Sequence, residues 1–142
     1  MLARTSKVEW SGDLQTGGGQ VSTESGAMDE VPFGFGSRFL DAPGSNPAEL
    51  LAAAHGSCFA THLGLLLSQN GTPAESLEIN CQVDLERVAE TRVEFARSRI
   101  DVKATISNLT SQQFDTLLAE AAVDCPLSRA INIEVQATGS LI

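Results

Sequence analysis

Two cysteines lie where the sequence around them favours thiol chemistry. Cys58 stands in the middle of an apolar stretch, with His55 three residues before it and His62 four residues after it. In a helix these spacings place all three side chains on one face, where an imidazolium would lower the pKa of the thiol. Cys125 directly precedes Pro126, a residue suited to the first position of a helix. Cys125 would then be the N-cap, where the helix dipole favours a thiolate.

The same residues allow other interpretations. Cys58 and His62 on one helix face, with Cys125 from another helix, would supply three ligands for a structural zinc ion. The protein would then be a zinc-binding structural or regulatory protein. No Cys-x-x-Cys pair supports that site. A Cys–His nucleophile requires an orienting third group, and none stands at a diagnostic spacing. Each histidine is also explained as a hydrogen-bonded core residue, and the third cysteine, Cys81, alternates with Leu and Ile as a small buried hydrophobe.

The first thiol belongs to a stretch that predicts one long central helix. Asn46 suits the N-cap, Pro47 the first helical position, and Glu49 the place from which a capping-box carboxylate reaches back. The stretch is apolar on nearly every face, which is typical of a helix buried inside a protein. Asn70-Gly71 is a favourable stop signal.

The remaining elements follow from periodicity and capping signals. Apolar side chains of period two predict strands, and a Thr-x-x-Gln capping box predicts a second helix. Strands and helices are segregated, which predicts an α+β fold with a mainly antiparallel sheet packed on the long central helix and a second helix. The predicted elements are a β-meander over residues 5–25, an aromatic loop over 32–39, the central helix from 47 to about 70, strands over 77–86 and 100–106 with a bulge or bend near 96–99, a helix from 111 to before 124, a short helix over 127–131 and a closing strand over 131–137.

Length and charge limit the function classes. The 142 residues suit a single domain, 1–142, and carry 9 basic against 18 acidic residues, a formal net charge of −9. Such a chain has no basic patch for nucleic acid or for an anionic membrane. The N-terminus shows no apolar signal segment, and three widely spaced cysteines do not resemble a secreted disulfide framework. We expect a soluble, cytoplasmic protein.

Three segments together resemble one known family. The stretch from Asn46 to Phe59 resembles the peroxidatic-cysteine helix of the osmotically inducible protein C (OsmC) and organic hydroperoxide resistance (Ohr) superfamily. Asp124-Cys125-Pro126-Leu127-Ser128 resembles its resolving-cysteine motif. The segments 21–26 and 32–39 are similar to the OsmC branch, and the resemblance runs nearly end to end.

The resemblance implies roles for single residues. Cys58 would be the peroxidatic thiol, Cys125 the resolving thiol, and Arg38 the cation that holds the thiolate. The family commonly has an acid directly after the motif's proline, and this chain has Ala48 there. Glu49 is next along but is turned about 100° around the helix. We expect Glu49 to substitute in part for that acid, the alternatives being a capping role alone or a family member that has lost activity.

The resemblance also implies an activity and an assembly. The expected function is a thiol-dependent peroxidase that reduces organic hydroperoxides, and hydrogen peroxide more weakly, in oxidative and osmotic stress defence. It needs no metal or bound cofactor, and a small thiol or a dithiol protein serves as the reductant. The expected assembly is an intertwined homodimer with active sites built from both chains. Phe33, Phe35 and Phe39 would line an apolar mouth beside Arg38, or pack in the core.

Overall fold

The computed structural model describes residues 1–142 and groups them into two compact units, Met1–Leu50 and Leu51–Ile142. Each unit has a three-stranded sheet of its own. The assignment of residues 1–142 to one domain stays a prediction.

The first unit contains an antiparallel sheet of three strands in chain order. These are β1 (Ser6–Ser11), β2 (Gly18–Thr23) and β3 (Val31–Phe33). The first two strands confirm the meander predicted over residues 5–25. The aromatic segment after them is not wholly a loop, because Phe35–Phe39 form a short helix, α1. Five residues with a glycine among them carry no helical period, so the sequence pattern could not show this helix.

The central helix α2 spans Pro47–Gln69, close to its predicted bounds. Asn46 is its N-cap, because its Oδ1 accepts a hydrogen bond of 2.9 Å from the backbone N–H of Glu49. The carboxylate of Glu49 does not complete a capping box and instead accepts a bond of 2.7 Å from Ser45 Oγ. Gly71, with φ of 77°, follows the end of the helix in the left-handed conformation that favours glycine.

The second unit contains β4 (Ser76–Ala89), β5 (Arg92–Thr105) and β6 (Glu134–Leu141), in that order across the sheet. β4 and β5 are antiparallel, whereas β6 runs parallel to β5. Asp84 pairs with Arg97 and Leu85 pairs with Phe95, so Ala96 is left over as a bulge. The bulge confirms the predicted change of phase. The closing strand begins at Glu134, later than its predicted start at Ile131.

Two further helices complete the second unit. α3 spans Ser111–Asp124 and begins with the predicted capping box, in which Gln113 N–H donates to Thr110 Oγ1 at 3.2 Å. α4 spans Pro126–Ala130. The predicted α+β class, with a mainly antiparallel sheet, a long helix and a second helix, is confirmed.

The core of the second unit lies between one face of its sheet and the helices. β5 presents its inward side chains to the apolar faces of α2 and α3, and full burial of each large side chain contributes about 1.5–3 kcal/mol. The buried apolar residues of this core are Phe59, Leu63, Leu66, Leu67, Ile100, Val102, Ala104, Phe114, Leu118, Ala121 and Cys125.

α2 is apolar all round, yet it buries few side chains within one chain. Only five of its 23 residues are buried. By length and composition alone it would also be long and apolar enough to cross a bilayer, a test that core helices pass as well. Much of the apolar surface of α2 is therefore left uncovered in the single chain.

Candidate active site

The second unit brings the two predicted redox cysteines into contact. Cys58 lies at the middle of α2 and is partly buried, and Cys125 lies between α3 and α4 and is fully buried. Their Sγ atoms are 3.4 Å apart, with the Cys125 thiol donating to Cys58 Sγ, although the two residues are 67 positions apart in the chain. Sequence reasoning named both thiols but had no local signal that they meet.

A sharp junction between two helices orients Cys125. Its φ of −51° and ψ of 128° end α3, while its N–H still bonds to Ala121 O at 3.0 Å. Pro126 then starts α4 at the first helical position, as predicted. Cys125 is the N-cap residue by position, but its side chain makes no capping bond. The thiol is directed to Cys58 instead.

The surroundings of Cys58 within the second unit disfavour its thiolate. Burial raises the pKa of the Cys58 thiol, a backbone N–H bond from Leu127 lowers it, and the neighbouring Cys125 thiol raises it again. The pKa of Cys58 lies above its ordinary value as a result. None of the groups that shift this pKa is a cation.

His55 does not supply a cation. Its side chain is fully buried, and burial lowers the pKa of the imidazole, so that it is neutral at neutral pH. Nδ1 lies 2.7 Å from Ser98 Oγ and Nε2 lies 2.8 Å from Ser128 Oγ. His55 is thus a core residue whose two ring nitrogens both have hydrogen-bond partners. Sequence reasoning missed this role for both serines, although Ser98 has the inward phase of Ile100 on β5.

The structure does not bring together the ligands that the zinc interpretation requires. Cys58, His62 and Cys125 do not form a set able to hold a metal, and neither does any other group of three His, Cys, Asp or Glu side chains. His62 Nε2 is buried without a hydrogen-bond partner. Cys81 packs against the core of the second unit, with its Sγ 3.5 Å from Ser98 Oγ.

The first unit places Arg38 beside aromatic side chains. Arg38 lies on α1, with the guanidinium carbon 5.2 Å from the centre of the Phe39 ring and with Nε buried and unbonded. A cavity of about 70 Å³ adjoins it. The large side chains around this cavity besides Arg38 are Trp10, Leu14, Phe33, Phe35 and Phe39.

Glu49 makes no ion pair with Arg38 in the structure. Its carboxylate is bonded to Ser45, which is itself buried. The role of Glu49 as an acidic partner stays a prediction, as does the role of Arg38 at the thiolate.

Known proteins share this arrangement of elements. The family model for OsmC-like protein matches residues 40–138. The peroxiredoxin OsmC of Escherichia coli is 34% identical over 136 residues, covering 94% of this chain and 93% of that protein. The organic hydroperoxide resistance protein-like 1 of Staphylococcus epidermidis is 31% identical over 122 residues, covering 82% and 83%. An OsmC-like protein of unknown function from Vibrio cholerae has the same fold, with a TM-score of 0.77 at 14% identity, over 99% of this chain and 100% of that one.

The site thus consists of two cysteines in contact on an α+β fold of the OsmC-like type. The chain belongs to the OsmC-like family, as the family match and the Escherichia coli relative show. The resemblance seen in the sequence is thereby confirmed.

Proposed function

We propose that this protein is a thiol-dependent peroxidase that reduces organic hydroperoxides, and hydrogen peroxide more weakly, through a Cys58–Cys125 disulfide. The observation that carries the proposal is the 3.4 Å contact between the two sulfur atoms. Relatives named peroxiredoxin OsmC and organic hydroperoxide resistance protein-like 1 support it. The proposal includes a role in oxidative and osmotic stress defence.

In the first step the Cys58 thiolate attacks one oxygen of the hydroperoxide. The O–O bond breaks, the other oxygen leaves with a proton as an alcohol or water, and Cys58 becomes a sulfenic acid. The thiol loses two electrons and the hydroperoxide gains two. The thiolate is the reactive form because its negative charge makes its electron pair far more nucleophilic than the pairs of a thiol.

In the second step Cys125 attacks the sulfur of the sulfenic acid. The S–O bond breaks, hydroxide leaves and takes the proton of the Cys125 thiol, and water and a disulfide form. An external dithiol, or two small thiols, then reduces the disulfide by exchange and restores both cysteines. The oxidant is the hydroperoxide alone, so the cycle requires no metal or bound organic cofactor.

Arg38 is the group we assign to stabilise the thiolate. The pKa of Cys58 is raised within the second unit, so a permanent cation has the most to contribute there. A guanidinium keeps its charge and can bind a thiolate and a peroxide oxygen together. Glu49 would orient Arg38 in part, after exchanging its bond to Ser45 for the guanidinium.

The aromatic cavity beside Arg38 supports a preference for organic substrates. Its apolar walls favour an alkyl or aryl group over water, whereas hydrogen peroxide has no such group to bury. We assign the side chains of Phe33, Phe35 and Phe39 to the apolar mouth of the active site.

We also propose a cytoplasmic homodimer whose active sites contain residues of both chains. The uncovered apolar surface of α2 supports the dimer, because surfaces of that kind are commonly buried between subunits. The remaining partners are the hydroperoxide and the thiol reductant, with no role for nucleic acid or for a membrane.

A disulfide map tests the proposal. The reduced protein is treated with one equivalent of tert-butyl hydroperoxide, and its mass and its peptides are analysed without reduction. We expect a loss of two hydrogen atoms, a Cys58–Cys125 peptide pair and a free Cys81. A bond that includes Cys81, or no disulfide at all, would overturn the assignment.

A further inference from the structure

A series of buried and half-buried polar groups lies beside the two thiols in the second unit. His55 lies between Ser128 Oγ, 2.8 Å from Nε2, and Ser98 Oγ, 2.7 Å from Nδ1, and Ser98 Oγ lies 3.5 Å from Cys81 Sγ. His55 and Ser98 are both fully buried. Buried polar groups are costly unless they are bonded, and here both ring nitrogens have a hydroxyl partner.

These polar groups occupy positions that match those of the two thiols on the same two segments. His55 precedes Cys58 by three residues on α2, and Ser128 follows Cys125 by three residues, so each pair shares a face of its own segment. The bond from His55 to Ser128 and the contact from Cys58 to Cys125 are thus two successive links between α2 and the start of α4. Leu127, whose backbone N–H lowers the pKa of Cys58, lies between Cys125 and Ser128 in the sequence.

Few other contacts hold the start of α4 in place, because α4 is short. It has five residues, none of them buried. Its contacts with the rest of the unit are correspondingly few, whereas His55 is anchored to the central strand β5 through Ser98. The imidazole therefore connects a well-packed strand to the small helix that carries Cys125 at its start.

We propose that His55 is a positioning residue for disulfide closure, which it promotes by holding Ser128 and, through it, the Cys125 segment against Cys58. This inference rests on the proposed function. The distance between the sulfurs must shorten from 3.4 Å to about 2.05 Å when Cys125 displaces hydroxide from the sulfenic acid. A fixed segment makes that approach frequent. A loose one leaves the sulfenic acid exposed to a second hydroperoxide, which oxidises it to sulfinic acid.

His55 acts through geometry and not through charge. Each of its nitrogens faces a hydroxyl, and a hydroxyl can donate or accept, so one neutral tautomer satisfies both bonds. The groups that face the ring are the two serines, and no acidic or basic side chain bonds to it. The effect should therefore fall on closure and leave the attack on the hydroperoxide unchanged.

Ser128→Ala tests the inference, since it removes one hydroxyl and leaves His55 and both thiols in place. Ser57→Ala is the matched control, because Ser57 stands next to Cys58 and its hydroxyl bonds only to Ala54 O of its own helix. Single-turnover mixing with tert-butyl hydroperoxide gives the rate of peroxide loss, and quenched samples analysed by mass give sulfenic acid, disulfide and sulfinic acid.

For Ser128→Ala we expect peroxide loss at the wild-type rate and disulfide closure slowed about fivefold or more, the effect of one lost hydrogen bond. Sulfinic acid should then appear at a correspondingly lower hydroperoxide concentration. Ser57→Ala should match the wild type, and Ser128→Thr, which keeps the hydroxyl, should restore closure.

Closure at the wild-type rate in Ser128→Ala, or equal slowing of both steps, would overturn the inference and leave the proposed function standing. If the wild type itself forms no Cys58–Cys125 disulfide, the proposed function fails first and the inference fails with it. The two failures are therefore distinguishable in one set of reactions.

Discussion

Cys58 shows at the scale of single residues why contact between two thiols is not sufficient for catalysis. Its partner Cys125 is placed for disulfide formation, but burial raises the pKa of the Cys58 thiol. The thiolate must therefore be favoured by a charge from elsewhere, and the neutral, buried His55 does not provide one. We propose Arg38, which has a buried Nε that lacks a partner, as the residue that supplies this charge.

Replacing Arg38 by alanine should slow hydroperoxide reduction about 10- to 1000-fold, the range expected when an opposite charge is removed from beside an ionisable group. The pH profile of the rate should shift to higher pH, since the thiolate would form less readily. Far-UV circular dichroism should be unchanged. Arg87→Ala is the control, because Arg87 bonds to the backbone of Glu90 in an exposed turn. An unchanged rate for Arg38→Ala would remove Arg38 from the site.

At the scale of elements, local signals predicted what local interactions determine. Asn46, Pro47 and Gly71 mark the ends of α2, and the change of apolar phase marks the bulge at Ala96. Each of these features depends on residues within a few positions, so the sequence shows it directly. The helix α1 has no comparable period, because its five residues include a glycine, although local bonds close both of its ends: Gly34 N–H donates to Ser37 Oγ, and Leu40 N–H donates to Gly36 O.

Asn46 joins two of these elements, and its two bonds can be separated by substitution. Its Oδ1 caps α2, and its Nδ2 donates to Ser37 O at 3.1 Å. Asn46→Ala should lower the free energy of unfolding by about 1 kcal/mol or more, because the cap is lost. Asn46→Asp keeps the cap and loses only the second bond, so it should cost less. Urea denaturation measures both, and equal losses would show that the cap contributes nothing.

At the scale of the whole molecule, the contacts that create the site are long-range. Cys58 and Cys125 are in contact although they are 67 positions apart in the sequence. His55 is 43 positions from Ser98 and 73 positions from Ser128, its two hydrogen-bond partners. Residue types and capping signals suggested the two cysteines, but only tertiary packing determines which side chains meet. For the same reason the hydroxyl partners of His55 and the parallel pairing of β6 lay beyond prediction from periodicity.

The exposed side of α2 also belongs to this scale. Leu65 is 50% exposed near the C-terminal end of the apolar helix α2, which supports burial against a second copy of the chain. We expect light scattering to give twice the 15.0 kDa chain mass for the wild type. Leu65→Glu should shift the protein towards the monomer, because an unpaired carboxylate is costly in an apolar interface.

Val123→Glu is the matched control for this prediction. Val123 is 70% exposed on α3, so a carboxylate there should leave the mass unchanged. A monomeric wild type would contradict the proposed homodimer, and a dimeric Leu65→Glu protein would place the interface elsewhere.

The most direct measurement of the central claim is hydroperoxide consumption with a dithiol present, for the wild type and for Cys58→Ser. The serine variant keeps nearly the same side-chain volume and removes only the sulfur that attacks the O–O bond. We predict multiple turnovers by the wild type and none by Cys58→Ser. Turnover that survives in Cys58→Ser, or its absence from the wild type, would contradict the assignment of Cys58 as the peroxidatic thiol.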